Sequence, residues 1–170
     1  MQLFRETVLS VNLRDYTPEQ AEAWAASASE SERWDKIFSH SLTLIAETEG
    51  EIVGFGNIDD TGHIDMLYVG KNHQHEGIAS AICDRPEQFA CGEITVHASI
   101  TARGFFEKRG YAVIILIPNQ YIQRLYIDYR LKSGVSKPAA LTELVLYGFF
   151  GGCAATPLHR SGESSYRRCL

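Results

Sequence analysis

Val69-Gly70-Lys71-Asn72-His73-Gln74-His75-Glu76-Gly77-Ile78-Ala79 is the stretch on which the fold turns. Before it, His63 to Val69 carries Ile64, Met66, Leu67 and Val69 on both strand faces and reads as a central strand. After it, Ile78, Ile82 and Phe89 recur at helical spacing in a segment from His73 to about Ala90. A strand therefore ends, the chain turns sharply, and a helix begins with its first amides exposed. Such a helix start binds anions through free N–H groups and the positive end of the helix dipole. Gly77 lets a ligand approach the backbone closely, and Ala79 keeps the next position small. An ordinary strand–helix connection has the same outline, so the flanking segments decide its meaning.

Upstream, residues 3 to 13 read as a first strand. Thr17-Pro18-Glu19-Gln20 then opens a helix to about Ala28: Thr17 caps, Pro18 suits the first helical position, and Gln20 completes a capping box. A second helix, Glu30 to Ser39, puts Trp34, Ile37 and Phe38 on one side. Ser41 to Thr48 alternates, with Leu42, Leu44 and Ala46 on one face; Glu51 to Asp59 and His63 to Val69 follow. The turns Glu49-Gly50 and Asp60-Thr61-Gly62 make these three an antiparallel meander.

Downstream, Pro86 is expected to kink or shorten its helix. Glu93 to Ala98 is a strand, Ser99 caps a short helix from Ile100 to Arg109, and Gly110 ends it. Ala112 to Ile117 and Tyr121 to Leu131 are the last two strands. The order β-α-α-β-β-β-α-β-α-β-β is that of an α/β fold: a mixed sheet with an antiparallel meander and one β-α-β crossover.

The chain has 170 residues, enough for one domain or one domain with an appendage, and its net charge is −5. No basic excess is available to neutralise a phosphate backbone, which argues against a nucleic-acid partner. No apolar run approaches the ~20 residues that span a bilayer, which argues against a membrane partner. Cys83, Cys91, Cys153 and Cys169 form no CxxC pair, and His63, His73 and His75 are irregularly spaced, so no metal site is expected. Met1 to Asn12 shows no signal-peptide pattern, and a soluble cytoplasmic protein with free thiols is expected. Charge is uneven along the chain. Gly134 to Leu170 carries Lys137, Arg160, Arg167 and Arg168 against Glu143 and Glu163, a balance of +2, which leaves −7 on the first 133 residues.

Gln74-x-x-Gly77-x-Ala79 after an apolar strand resembles the pyrophosphate loop of the GNAT superfamily, the acyl-CoA-dependent N-acyltransferases. Thr101-Ala102-Arg103-Gly104-Phe105-Phe106-Glu107-Lys108-Arg109-Gly110-Tyr111 resembles the family's later helix–Gly–aromatic motif. Asn12-x-Arg14-Asp15-Tyr16 and His97-Ala98-Ser99 look like a YafP-like bacterial branch of it. The resemblance covers roughly residues 3 to 132. It sets an expected boundary between an acyltransferase domain, residues 1–133, and a partly ordered C-terminal extension, residues 134–170. In that extension the apolar Leu141 to Phe150 is expected to pack on its own domain or a second subunit as a helix or edge strand.

The resemblance implies acetyl-CoA as co-substrate and a small-molecule or peptide amine as acceptor. The amides of Gln74, His75, Glu76, Gly77, Ile78 and Ala79 would hold the CoA pyrophosphate. Backbone at Leu67, Tyr68 and Val69 would pair with the pantetheine arm like an added strand. Ser99, Phe105 and Phe106 would belong to the opposite wall. The resemblance also allows a homodimer. The sequence departs from the family pattern where Lys71 stands for Pro, His75 for Gly, and Glu76 for a basic or small residue. Phe106 stands where many relatives carry a tyrosine that acts as general acid. A carboxylate at Glu76 beside a pyrophosphate is expected to weaken CoA affinity unless it points outward.

Proton accounting ranks the remaining needs. A lysine-like amine of pKa ~10.4 costs roughly 4.6 kcal/mol to neutralise at pH 7, while protonating a thiolate of pKa ~8.5 gains only roughly 2 kcal/mol. Accepting the amine proton is the larger task. Asp65, which strict alternation puts on one face with Leu67 and Val69, and His97 are the candidate catalytic bases, with a water relay that uses no single base as the alternative; Asp59 and Glu47 are weaker ones. Burial of Asp65 between apolar neighbours would raise its pKa toward that role. The reaction expected is acetyl transfer by direct attack in a ternary complex. The competing expectation is a non-catalytic acyl-CoA-binding module.

Overall fold

The computed structural model describes residues 1–89, 93–119, 124–131, 145–150 and 156–157. Three helices come first: α1 (Gln2–Val8), α2 (Pro18–Ala26) and α3 (Ser31–Ser39), with a 3-10 turn at Asn12–Arg14. The strand expected over residues 3 to 13 is therefore helical. Phe4, Thr7 and Val8 are its buried residues, an i, i+3, i+4 set that covers one helix face rather than alternating across a strand. The capping box at Thr17 forms as expected, with Gln20 N–H donating to Thr17 Oγ1 and Thr17 N–H donating to Gln20 Oε1.

The meander follows as β1 (Ser41–Thr48), β2 (Glu51–Asp59) and β3 (His63–Val69). Glu49 and Gly50 both have positive φ, 52° and 80°, as a two-residue hairpin turn requires. Next come α4 (Ile78–Phe89), β4 (Ile94–Ser99), α5 (Arg103–Lys108), β5 (Ala112–Asn119) and β6 (Arg124–Leu131). The helix expected from His73 starts only at Ile78; Lys71–His73 is a 3-10 turn, and α4 contains Pro86 in its interior. Two further strands, β7 (Val145–Phe150) and β8 (Thr156–Pro157), join the same sheet, whose order is β5-β6-β4-β3-β2-β1-β7-β8. The element series thus opens on a helix, and within residues 1–131 the rest matches the expected sequence of helices and strands.

Each face of the sheet buries its own core. On one face Phe4, Val8, Tyr16, Trp24, Trp34, Phe55 and Met66 form an aromatic layer beneath α1, α2 and α3. On the other, Leu44, Ala46, Val69, Ile78 and Ile82 join α4 to the meander, and Ile64, Val96, Ala98, Phe106 and Tyr111 join α5 to β4. Trp24 and Trp34 are 7% and 4% exposed, so both serve the core.

Candidate active site

β3 and β4 are the only parallel neighbours among the described strands, and they pair at just two positions, His63 with Thr95 and Ile64 with Val96. Beyond these the strands part. β3 continues on β2 as far as Val69 opposite Gly54, and β4 continues on β6 as far as Ser99 opposite Tyr126. The result is a V-shaped opening in the sheet, with one backbone edge of each strand turned toward the gap.

A bulge starts the opening. Asn57 pairs with Met66 and Ile58 with Ile64, so Asp65 is the extra residue of β3. The bulge reverses the side-chain phase. Met66 and Tyr68 pack with the aromatic layer, whereas Leu67 and Val69 pack against the α4 side. Asp65 consequently does not share a regular strand face with Leu67 and Val69, and it is exposed rather than buried. It is nevertheless the first residue of β3 past the last parallel pair. His97 is the first of β4 past the same pair, and it too is exposed. Both candidate bases therefore flank the apex of the V.

Neighbours of His97 are also defined. Its ring centroid lies 4.5 Å from that of His63 at an edge-on angle of 63°. His63 Nδ1 is 2.8 Å from Thr95 Oγ1. Asp59, the weaker candidate, serves the turn between β2 and β3: its Oδ1 accepts from Thr61 N–H, Thr61 Oγ1 and His63 N–H at 2.9, 2.6 and 2.9 Å. Burial alone would raise its carboxyl, but these hydrogen bonds and the nearby His63 hold it below the usual aspartate range. That direction makes it a poorer proton acceptor. Glu47 lies in β1, separated from the V by β2 and β3.

At the far end of β3 the turn into α4 has an internal brace. Gln74 Nε2 donates to the carbonyls of Val69 (2.7 Å) and Gly70 (3.3 Å), and Thr7 Oγ1 donates to Val69 O as well (3.3 Å). Gln74 thus contributes its side chain to the shape of the turn. His75 and Gly77 both have left-handed φ, 65° and 84°. His75 holds this conformation without the freedom of glycine, a strain of roughly 1–2 kcal/mol. Glu76 turns back to His73, whose Nδ1 is 3.0 Å from its Oε2. Ile78 is buried among the α4 core residues, so only its backbone faces the turn, and Ala79 is half-buried.

The opposite wall corrects one expectation. Phe106 is 1% exposed, packed edge-on to Tyr111 and Phe105 inside the core, and is not a wall of the gap. Phe105 is half-buried, with the Arg109 guanidinium 5.6 Å from its ring. The helix phase decides this: one of two adjacent phenylalanines must face the sheet. Ser99 caps the turn after β4, accepting from Ala102 N–H at 3.2 Å. One contributor escaped the sequence reading of the site. Tyr16 OH accepts the Ile100 amide at 2.9 Å, tying the helical layer to the end of β4, and no local sequence signal marks a contact across 84 positions.

Comparison with known proteins agrees with this geometry. A model of the acetyltransferase (GNAT) domain matches residues 12–123. The uncharacterized N-acetyltransferase YafP of Escherichia coli K12 is 34% identical over 113 residues, 66% of this chain and 72% of that protein. A GCN5-related N-acetyltransferase from Rhodopseudomonas palustris superposes with a TM-score of 0.70 at 30% identity, over 77% of this chain and 86% of that one. The PaiA N-acetyltransferase of Thermoplasma acidophilum, crystallised with coenzyme A, shares the fold, with a TM-score of 0.60 at 16% identity over 77% and 89% of the two chains. With its split sheet, its braced strand–helix turn and a domain match over most of its length, this chain belongs to the GNAT acetyltransferase family.

Proposed function

We propose that the protein transfers an acetyl group from acetyl-CoA to a primary amine of a small molecule or peptide, by direct attack in a ternary complex. The observation that carries this reading is the V between β3 and β4, which opens beyond Ile64–Val96 and runs along β3 toward the turn into α4. The residues there fit the co-substrate. An extended pantetheine arm can add to the β3 edge at Leu67–Val69 as a strand would. The amides of residues 74–79 lie where a diphosphate can meet the α4 N-terminus. The CoA bound by the Thermoplasma relative supports this assignment.

The chain's own residues then have separable tasks. Backbone N–H near Leu67–Val69 polarises the thioester carbonyl. Asp65 or His97, at the apex, accepts the proton of the attacking amine, directly or through water. The two walls of the V hold both reactants together, which supplies much of the rate. Free thiol release from acetyl-CoA, measured across a panel of primary amines, tests the reading. Amine-dependent release that falls at least tenfold in H97A or D65A supports it, and no release with any amine overturns it.

A second reading, a module that holds acyl-CoA without turnover, is favoured by one observation: Phe106 is buried and offers no hydroxyl to the departing thiolate. Thermal stabilisation by CoA without thiol release would select it. At 100 times Kd, the stabilisation is ~2.7 kcal/mol.

A further inference from the structure

Glu76 sits one residue before Gly77 and two before the first residue of α4. Amides at a helix start attract any anion in reach, including a carboxylate of the same chain. Glu76 is therefore a rival for the amides to which a diphosphate would bind. Left free, its side chain could fold over them or repel an incoming phosphate.

His73 holds that side chain from within the turn. Its Nδ1 lies 3.0 Å from Glu76 Oε2, and this is a local pair across the turn, three residues apart. Side-chain exposure is 31% for His73 and 53% for Glu76, so the pair lies on the surface rather than in the core. Gln74, between them, is pinned to the Val69 and Gly70 carbonyls. The turn thus has one fixed support on the β3 side and one tether on the α4 side.

We infer that His73 is a positioning residue for the phosphate turn, holding the Glu76 carboxylate off the amides that take the CoA diphosphate. The inference rests on the proposed CoA-binding reading and deepens it. It also accounts for how this chain tolerates an acidic residue at a position facing an anion. The tether removes a competitor and, when His73 is protonated, cancels its charge.

Isothermal titration of the full chain with CoA and with pantetheine, which lacks the diphosphate, provides the test. H73A is expected to weaken CoA binding three- to tenfold and to leave pantetheine binding within twofold of wild type. E76A is expected to bind CoA at least as tightly as wild type. The double variant H73A/E76A should return to the E76A value, because without the carboxylate there is nothing to tether. A purely structural role for His73 predicts the opposite: the double variant stays as weak as H73A, and pantetheine is affected alongside CoA. That pattern, or an H73A affinity equal to wild type, overturns the inference while leaving the CoA reading intact. Absence of CoA binding by the wild-type chain overturns both.

Discussion

A Cβ placed on Gly54 of β2 would lie 2.8 Å from Cγ2 of Ile78, the first residue of α4. Real Cβ atoms do not approach so closely, so the absence of a side chain on β2 fixes how near α4 sits to the sheet. Gly56 repeats the relationship one turn along, 2.8 Å from Ile82 Cγ2 and 3.0 Å from the Met66 carbonyl. Gly54→Ala is expected to push the start of α4 outward and to destabilise the fold by about 1–3 kcal/mol, as overpacking does. Because the turn at residues 74–77 leads directly into Ile78, CoA affinity should fall with it. Gly104→Ala is the contrast. Nothing lies within 4 Å of its Cβ, and it sits inside α5. That variant should gain roughly 0.5–1 kcal/mol with CoA affinity unchanged. Denaturant unfolding and CoA titration of both variants check the pair.

Arg109 joins α4 to α5 through carboxylates that are themselves largely buried. Its Nη2 meets Asp84 Oδ1 at 2.6 Å and Glu87 Oε2 at 2.5 Å, and its Nε meets Glu87 Oε1 at 3.0 Å. Tyr111 OH donates to the same Glu87 Oε1 at 3.0 Å. Burial alone would lower the guanidinium pKa, but the two carboxylates outweigh it and push it up. Side-chain exposures of 12%, 11% and 9% for Arg109, Asp84 and Glu87 mean that removing the cation leaves two carboxylates with little water. Arg109→Met should therefore cost about 3–5 kcal/mol. Arg109→Lys should recover only part, because an ammonium cannot repeat the two-pronged contact with Glu87. Urea unfolding of the two variants measures the difference.

The parts legible in the sequence are those fixed by neighbours in the chain. Leu42, Leu44 and Ala46 alternate and do face one side of β1. Thr17 with Gln20 caps α2, and Glu49-Gly50 closes a hairpin, because each device needs only three or four consecutive residues. Residues 3 to 13 misled because Phe4, Thr7 and Val8 are β-formers by type, yet their spacing of three and four covers a helix face. The site was harder to read. The V depends on where β3 stops pairing with β4, and the face of Asp65 depends on a bulge measured against β2. Neither is a property of the strand's own residues. Phe105 and Phe106 are chemically alike; only the phase of α5 against the sheet sends Phe106 inward.

The turn between β2 and β3 makes stability depend on pH in a stated direction. Asp59 accepts three hydrogen bonds as a carboxylate and titrates below its ordinary value in the folded chain. The unfolded state therefore binds its proton first as pH falls. The stabilisation is complete above the unfolded pKa of about 3.9 and is lost as pH drops below that value toward the folded one. Asp59→Asn keeps an acceptor oxygen but no charge. It should be less stable than wild type at pH 7 by below about 1 kcal/mol, since the group is partly solvated. The gap should close below about pH 4. Thermal melts of both proteins from pH 7 to pH 3 would show it; a gap that stays constant assigns the contribution to hydrogen-bond geometry alone.

β7 pairs antiparallel with β1 through six positions, from Leu42 opposite Phe150 to Glu47 opposite Val145, so part of the positively charged stretch after residue 133 is built into the sheet. In the sheet order β7 stands beside β1, while the V lies two strands further on, between β3 and β4. The two locations predict separable effects of ending the chain at residue 133. CoA binding should persist, because the V is bounded by strands supported from β2 and β6. The outer edge of β1 should at the same time lose its partner and present a row of unpaired backbone groups to other chains. The shortened chain is thus expected to melt at lower temperature and to self-associate at high concentration, with CoA affinity within about twofold of the full chain. Titration with CoA and sedimentation of both lengths measure the two effects independently. Loss of CoA binding on truncation would mean that β7 supports the V through β1 and β2, and that the binding unit extends beyond residue 133.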